Sequence, residues 1–223
     1  MDNFIFDSNA LEGFLIPFNT TKSLEVIGKE LLNKSFTSNL NKFGKDKDHN
    51  ILYITGYSGS GKSTLANYLA DEYTDIIHLD LYYESNLSDD SNQNKRFNQY
   101  MKHHNIKSIN QVPRDQWAPL KILSKFENAV EDFSKEEFKN NRKVICEGVQ
   151  IHDGGLWNNK SHYKDKPLII IKSNALKSFS QAFKRDNRSF KDISSIQSIK
   201  EWIAWYQIMG KNLKELENTI KDK

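Results

Sequence analysis

Ile51-Leu-Tyr-Ile-Thr-Gly-Tyr-Ser-Gly-Ser-Gly-Lys-Ser-Thr64 decides how this chain is read. The first five residues, Ile51 to Thr55, are apolar and β-branched in the manner of a buried strand. They follow a charged stretch, Gly44 to Asn50, that contains no apolar side chain. Gly56 to Thr64 then satisfies G-x-x-x-x-G-K-[ST], and the spacing predicts a helix from Leu65 to about Tyr73. Asp75 to Leu79 reads as a second buried strand, so the segment is a β-α-β unit. A chance match to the motif in a chain of this length has a likelihood of roughly 1% on ordinary residue frequencies.

The residue types follow from what such a loop does. Glycines let the backbone curl so that successive N–H groups point inward at an anion, and the next helix places its positive end beneath it. Lys62 is spaced to reach the β- and γ-phosphates of a nucleotide as a point charge. The Ser63 hydroxyl is spaced to enter the octahedral shell of Mg²⁺, and Thr64 to support the α-phosphate end.

Outward from this unit, strand and helix patterns keep alternating. Val144 to Cys146 and Leu168 to Ile171 are further strand candidates. A helix after the latter carries Leu176, Phe179 and Phe183 on one face. A last helix, about Ile196 to Ile220, carries Ile199, Ile203, Tyr206, Leu213 and Leu216, with Ser194 and Gln197 in capping-box spacing. Phe97 to Lys139 is mostly helical in pattern, broken at Pro113 and Pro119, with a second capping-box spacing at Ser134 and Glu137. The expected fold is α/β: a parallel-sheet P-loop NTPase core with helices on both faces, a helical insert at about 84–140, and an N-terminal extension. That extension, residues 1–45, is read as strand-like clusters at Phe4 to Phe6 and Phe14 to Phe18, then an amphipathic helix from Thr21 to about Phe36. Residues 46–223 form the main domain.

Bulk properties narrow the classes. The 223 residues allow one substantial core. The net charge of +3, from 32 basic and 29 acidic residues, gives no broad field for wrapping nucleic acid. A single cysteine, Cys146, sits in an apolar run and excludes an intrachain disulfide framework. The acidic N-terminus and the absence of a long apolar run predict a cytoplasmic protein with no membrane partner.

Three further segments fall where strands should end, the place ligands occupy in such sheets. Ile76 to Tyr83 delivers Asp80, a carboxylate suited to orienting an acceptor hydroxyl and taking its proton. The alternative is a turn-capping aspartate, with Tyr82 and Tyr83 covering the sheet. His78, inside the strand, reads as structural. Val144 to Gly148 ends in Glu147, placed to hold magnesium through water, or else an ordinary strand end. Lys184 to Arg188 concentrates cations where a closing lid would meet phosphates, with Arg185 and Arg188 preferred, or else forms a solvated helix face. In the insert, Arg114 and Trp117 offer a cation and an aromatic platform. His103 and His104 lack ligand-spaced partners and read as helix surface.

Taken together, these residues resemble the P-loop nucleoside and nucleotide kinase group, especially its uridine kinase-like branch, from about Ile51 to Arg188. The resemblance implies ATP bound by Gly56, Tyr57, Ser58, Gly59, Ser60, Gly61, Lys62, Ser63 and Thr64. It implies Asp80 as catalytic base, Glu147 and Ser63 at Mg²⁺, Arg185 and Arg188 in a lid, and Tyr82 or Tyr83 facing the acceptor. Departures are Leu81 after the aspartate, the close spacing of the arginines, and the lack of a clear fifth strand after the lid. The expected activity is transfer of the γ-phosphate of ATP to a small acceptor, a nucleoside or nucleotide. A kinase acting on a polynucleotide or sugar nucleotide, and a nucleotide-hydrolysing switch, are the alternatives. Asn159 to His162 lacks the final aspartate of a guanine-reading Asn-Lys-x-Asp, which argues against a GTPase.

Overall fold

A computed structural model describes residues 32–79, 95–104, 120–152, 163–185 and 196–221. Five strands form one sheet: β1 (Ser35–Ser38), β2 (Ile51–Gly56), β3 (Thr74–His78), β4 (Lys143–Glu147) and β5 (Leu168–Ile171), in the order β1-β5-β2-β4-β3. Pairings β2 with β4, β2 with β5 and β3 with β4 are parallel, and β1 joins β5 antiparallel. The described helices are α1 (Lys62–Leu69), α2 (Lys95–His103), α3 (Leu120–Lys139), α4 (Ala175–Arg185) and α5 (Ile196–Lys221).

The two-residue alternation of the strands feeds two separate cores. Ile51, Tyr53, Ile77, Val144, Cys146, Leu168 and Ile170 face Phe97 and Met101 of α2, Phe126, Val130 and Phe133 of α3, and Leu213 and Leu216 of α5. Leu52, Ile54, Ile76, Ile145, Ile169 and Ile171 face Leu65 and Ala66 of α1, with Leu40 and Phe43 packed alongside. Helices therefore cover both faces, and the central strands are buried along almost their whole length and mostly apolar because neither face meets water.

Several sequence readings are corrected. The predicted helix to Phe36 gives way to β1: Phe36 pairs with Ile170 in the sheet and packs against the larger core, so long-range pairing overrides local helical spacing. The described chain thus has its fifth strand before the phosphate loop in sequence, beside β5, rather than after the lid. Helix α1 ends at Leu69, short of Tyr73, because Asp71 turns the chain by accepting from the Tyr73 N–H (3.0 Å) and the Thr74 hydroxyl (2.5 Å). Ser134 and Glu137 do not cap a helix but lie inside α3. Glu137 is buried there and takes Arg96 at 2.6 Å and Arg142 at 3.3 Å, tying α2 and α3 to the start of β4. Leu176 and Ile203 are exposed, not core-facing. Trp202 packs on Phe179 of α4 at 5.5 Å, leaving its neighbour Ile203 outward. His103, at the end of α2, and His104, just after it, are exposed. The expected clusters before residue 18, the remainder of the Thr21 helix and the tip of the insert lie outside the described residues. No helix among the described residues is long and apolar enough to cross a membrane.

Candidate active site

Strand β2 ends at Gly56 and α1 begins at Lys62, so the loop between them starts at the carboxyl end of the central strand of the sheet. The helix starts three residues earlier than the apolar pattern predicts. The first-turn amides of Lys62, Ser63 and Thr64 thereby fall next to the loop and have no intrahelical acceptors.

Gly59 shows why the loop needs glycine. Its φ is +79°, and a Cβ there would sit 2.3 Å from the Ser178 carbonyl oxygen and 2.8 Å from the Ala182 nitrogen of α4. Both the conformation and the contact exclude a side chain. Gly59→Ala is therefore expected to destabilise the fold by about 2 kcal/mol or more. A thermal melt of the variant beside the wild type, without nucleotide, measures this.

Lys62 is buried, and its ammonium donates to the Tyr57 carbonyl at 3.0 Å. Ser63 Oγ lies 2.7 Å from Glu147 Oε1, and His78 Nδ1 lies 2.6 Å from the same oxygen. Glu147 is 2% exposed, and its other oxygen, Oε2, is buried with no hydrogen-bond partner among the described residues. Burial alone would push this carboxyl up. The hydrogen bond from His78, the charges of Lys62 and His78, and the Ser63 hydroxyl outweigh burial and hold it below the usual carboxylate range.

The residues fit a magnesium ion. The donors are hard oxygens, Ser63 Oγ and an ionised Glu147 with one oxygen unspent, set beside the phosphate loop. Among the described residues no group of three or more His, Cys, Asp or Glu side chains would hold a metal unaided. A metal here would draw its remaining ligands from phosphates and water.

The structure thus brings Lys62, Ser63 and Glu147 together. Asp80, Tyr82, Tyr83, Arg114 and Arg188 lie outside the described residues. Arg185 ends helix α4, and its side chain is not described. Sequence reasoning read His78 only as structural; it lies directly opposite Glu147 in the β3–β4 register, a pairing that no local spacing signals. Thr55 was missed: its hydroxyl bonds the Gly148 carbonyl (2.9 Å) and His152 Nδ1 (2.7 Å), pinning the Glu-Gly turn to β2.

The doubly covered, mostly parallel sheet with this loop is that of a P-loop NTPase core, and a match to a P-loop kinase family over part of the chain makes it a phosphotransferase. The family model for adenylylsulphate kinase matches residues 48–122, about a third of the chain, from just before β2 into the first turn of α3. No curated protein and no solved structure matched the chain.

Proposed function

We propose that this chain moves the γ-phosphate of Mg-ATP to a hydroxyl of a small nucleotide-type acceptor. The observation that carries the reading is Glu147: a buried carboxylate tied to Ser63 of the phosphate loop and left with one unpartnered oxygen. An unpaired buried acceptor is costly, and a cation at the loop would satisfy it. The adenylylsulphate kinase match supports a nucleotide as acceptor over the nucleoside that the uridine kinase-like likeness implies.

In this reading the amides of Gly56 to Thr64 cradle the phosphates, and Lys62 leaves the Tyr57 carbonyl to meet them. Ser63 and Glu147 would hold a magnesium ion, which would supply charge neutralisation at the phosphate oxygens. Asp80 accepts the proton of the acceptor hydroxyl. The acceptor oxygen forms its bond to the γ-phosphorus as the bond to the bridging oxygen breaks, and ADP departs with that electron pair. Arg185 and Arg188 supply donors to the transferring group, and Tyr82, Tyr83 and Arg114 contact the acceptor. ATP and the acceptor are the partners, in a reducing cytoplasmic setting where Cys146, buried and free, is stable.

Incubation with γ-labelled ATP and a panel of nucleotides, nucleosides, sugars and oligonucleotides tests this. Label in a nucleotide product is expected. Label released only as inorganic phosphate, whatever the acceptor, would favour a nucleotide-hydrolysing module instead. The metal role has its own check. Glu147→Gln keeps the shape but removes the charge, and is expected to weaken the magnesium dependence of ATP binding about tenfold. Titrations of ATP with and without magnesium measure it, and an unchanged ratio would rule the role out.

A further inference from the structure

Helix α5 lies far along the chain from the phosphate loop, yet it grips that loop. The buried Tyr206 donates its hydroxyl to the Ser58 carbonyl at 3.0 Å. The Tyr206 ring also stacks on Tyr57 of the loop, with centroids 5.7 Å apart and planes 17° off parallel. One turn on, Gly210 leaves room for the same side chain: a Cβ there would lie 2.4 Å from the Tyr57 hydroxyl. Phe179 of α4, Trp202, Trp205 and Met209 close around Tyr206.

The peptide between Ser58 and Gly59 is trans, as are all described ones. In a trans peptide the carbonyl and the following N–H point in opposite directions. Anchoring the Ser58 carbonyl on Tyr206 therefore turns the Gly59 N–H away from α5. Gly59 also rests against Ser178 and Ala182 of α4, so the peptide cannot rotate freely.

We propose that Tyr206 is a positioning residue for phosphate binding: a strut from α5 that presets the Gly59 amide as a donor to the phosphates, with Tyr57 and Gly210 fixing its seat. The proposal rests on the reading of Gly56 to Thr64 as a triphosphate site. Preorganised donors bind an anion without a reorientation cost, so loss of the strut shows as weaker phosphate binding and not only as a less stable fold.

The test titrates ATP and inorganic tripolyphosphate, each with magnesium, into the wild type and variants, with melting temperatures recorded alongside. Tyr206→Phe keeps the stacked ring and removes the hydroxyl. It is expected to weaken both ligands alike by roughly 3- to 10-fold, as one hydrogen bond does. Gly210→Ala, with Tyr206 intact, is expected to weaken both as its methyl displaces Tyr57. Adding Tyr57→Phe to Gly210→Ala is expected to recover affinity relative to Gly210→Ala alone, since the ring carbon would stand at an acceptable 3.4 Å. Should Tyr206→Phe fail to fold, the Gly210→Ala pair decides. A lowered melting temperature with wild-type affinity for both ligands overturns the strut while leaving the ATP site standing. A wild type that binds neither ligand removes both.

Discussion

Replacing Lys62 with methionine is expected to lower the rate of phosphate transfer by about 10²- to 10³-fold, the scale of losing one charged donor to a transferring group. Methionine is comparable in length and suits a site as buried as this one. What it lacks is the ammonium that donates to the Tyr57 carbonyl at 3.0 Å. That bond holds the charge within the loop, ready to exchange a neutral carbonyl for phosphate oxygens. Lys62→Arg is expected to restore little, because a planar fork needs more room and different angles than a compact ammonium. Steady-state kinetics with varied ATP measure both variants. A methionine variant within a few-fold of wild type would contradict the assignment of Lys62.

Asp80→Asn is expected to reduce kcat by about 10²- to 10⁴-fold, the contribution of a positioned general base, while ATP affinity changes little. The case is topological. Strand β3 ends at His78, whose Nδ1 already sits 2.6 Å from Glu147 beside the phosphate loop. The chain therefore leaves the sheet next to the proposed metal position, and Asp80 follows two residues later. An amide cannot take the proton of the acceptor hydroxyl but can still orient it, so chemistry should fail where binding persists. A single-turnover assay at saturating ATP separates the two, and undiminished transfer would remove Asp80 from the mechanism.

The pH behaviour of Glu147 follows from its surroundings. Its folded-state pKa is depressed, so its contribution to stability is present above the ordinary carboxylate range and is lost as pH falls through the lowered value. An acid-unfolding series on the wild type should accordingly show stability declining on the acid side.

What could be read from sequence was what is local. The Ile51 to Thr64 segment names its own strand, turn and helix because an unbroken apolar run, glycines and a lysine follow one another without interruption. Leu168 to Ile171 was equally plain. The edge strand Ser35–Ser38 was not: three of its four residues are small and polar, and only its pairing with β5 makes it a strand. Ser134 and Glu137 carried a helix-start spacing inside a helix, since the spacing cannot report that Glu137 is buried between two arginines from other elements. His78, read as structural, and Tyr206, read as part of a helix face, could not be tied to the site for one physical reason. Their partners are 69 and 148 residues away in the chain, and only sheet register and helix packing bring them together.

Calorimetric titration of ATP into the wild-type protein in the presence of magnesium tests the central claim most directly. A saturable exotherm with one site per chain, weakened when Lys62 is methionine, is the result this structure predicts. No measurable heat or saturation, with the protein folded, would contradict it.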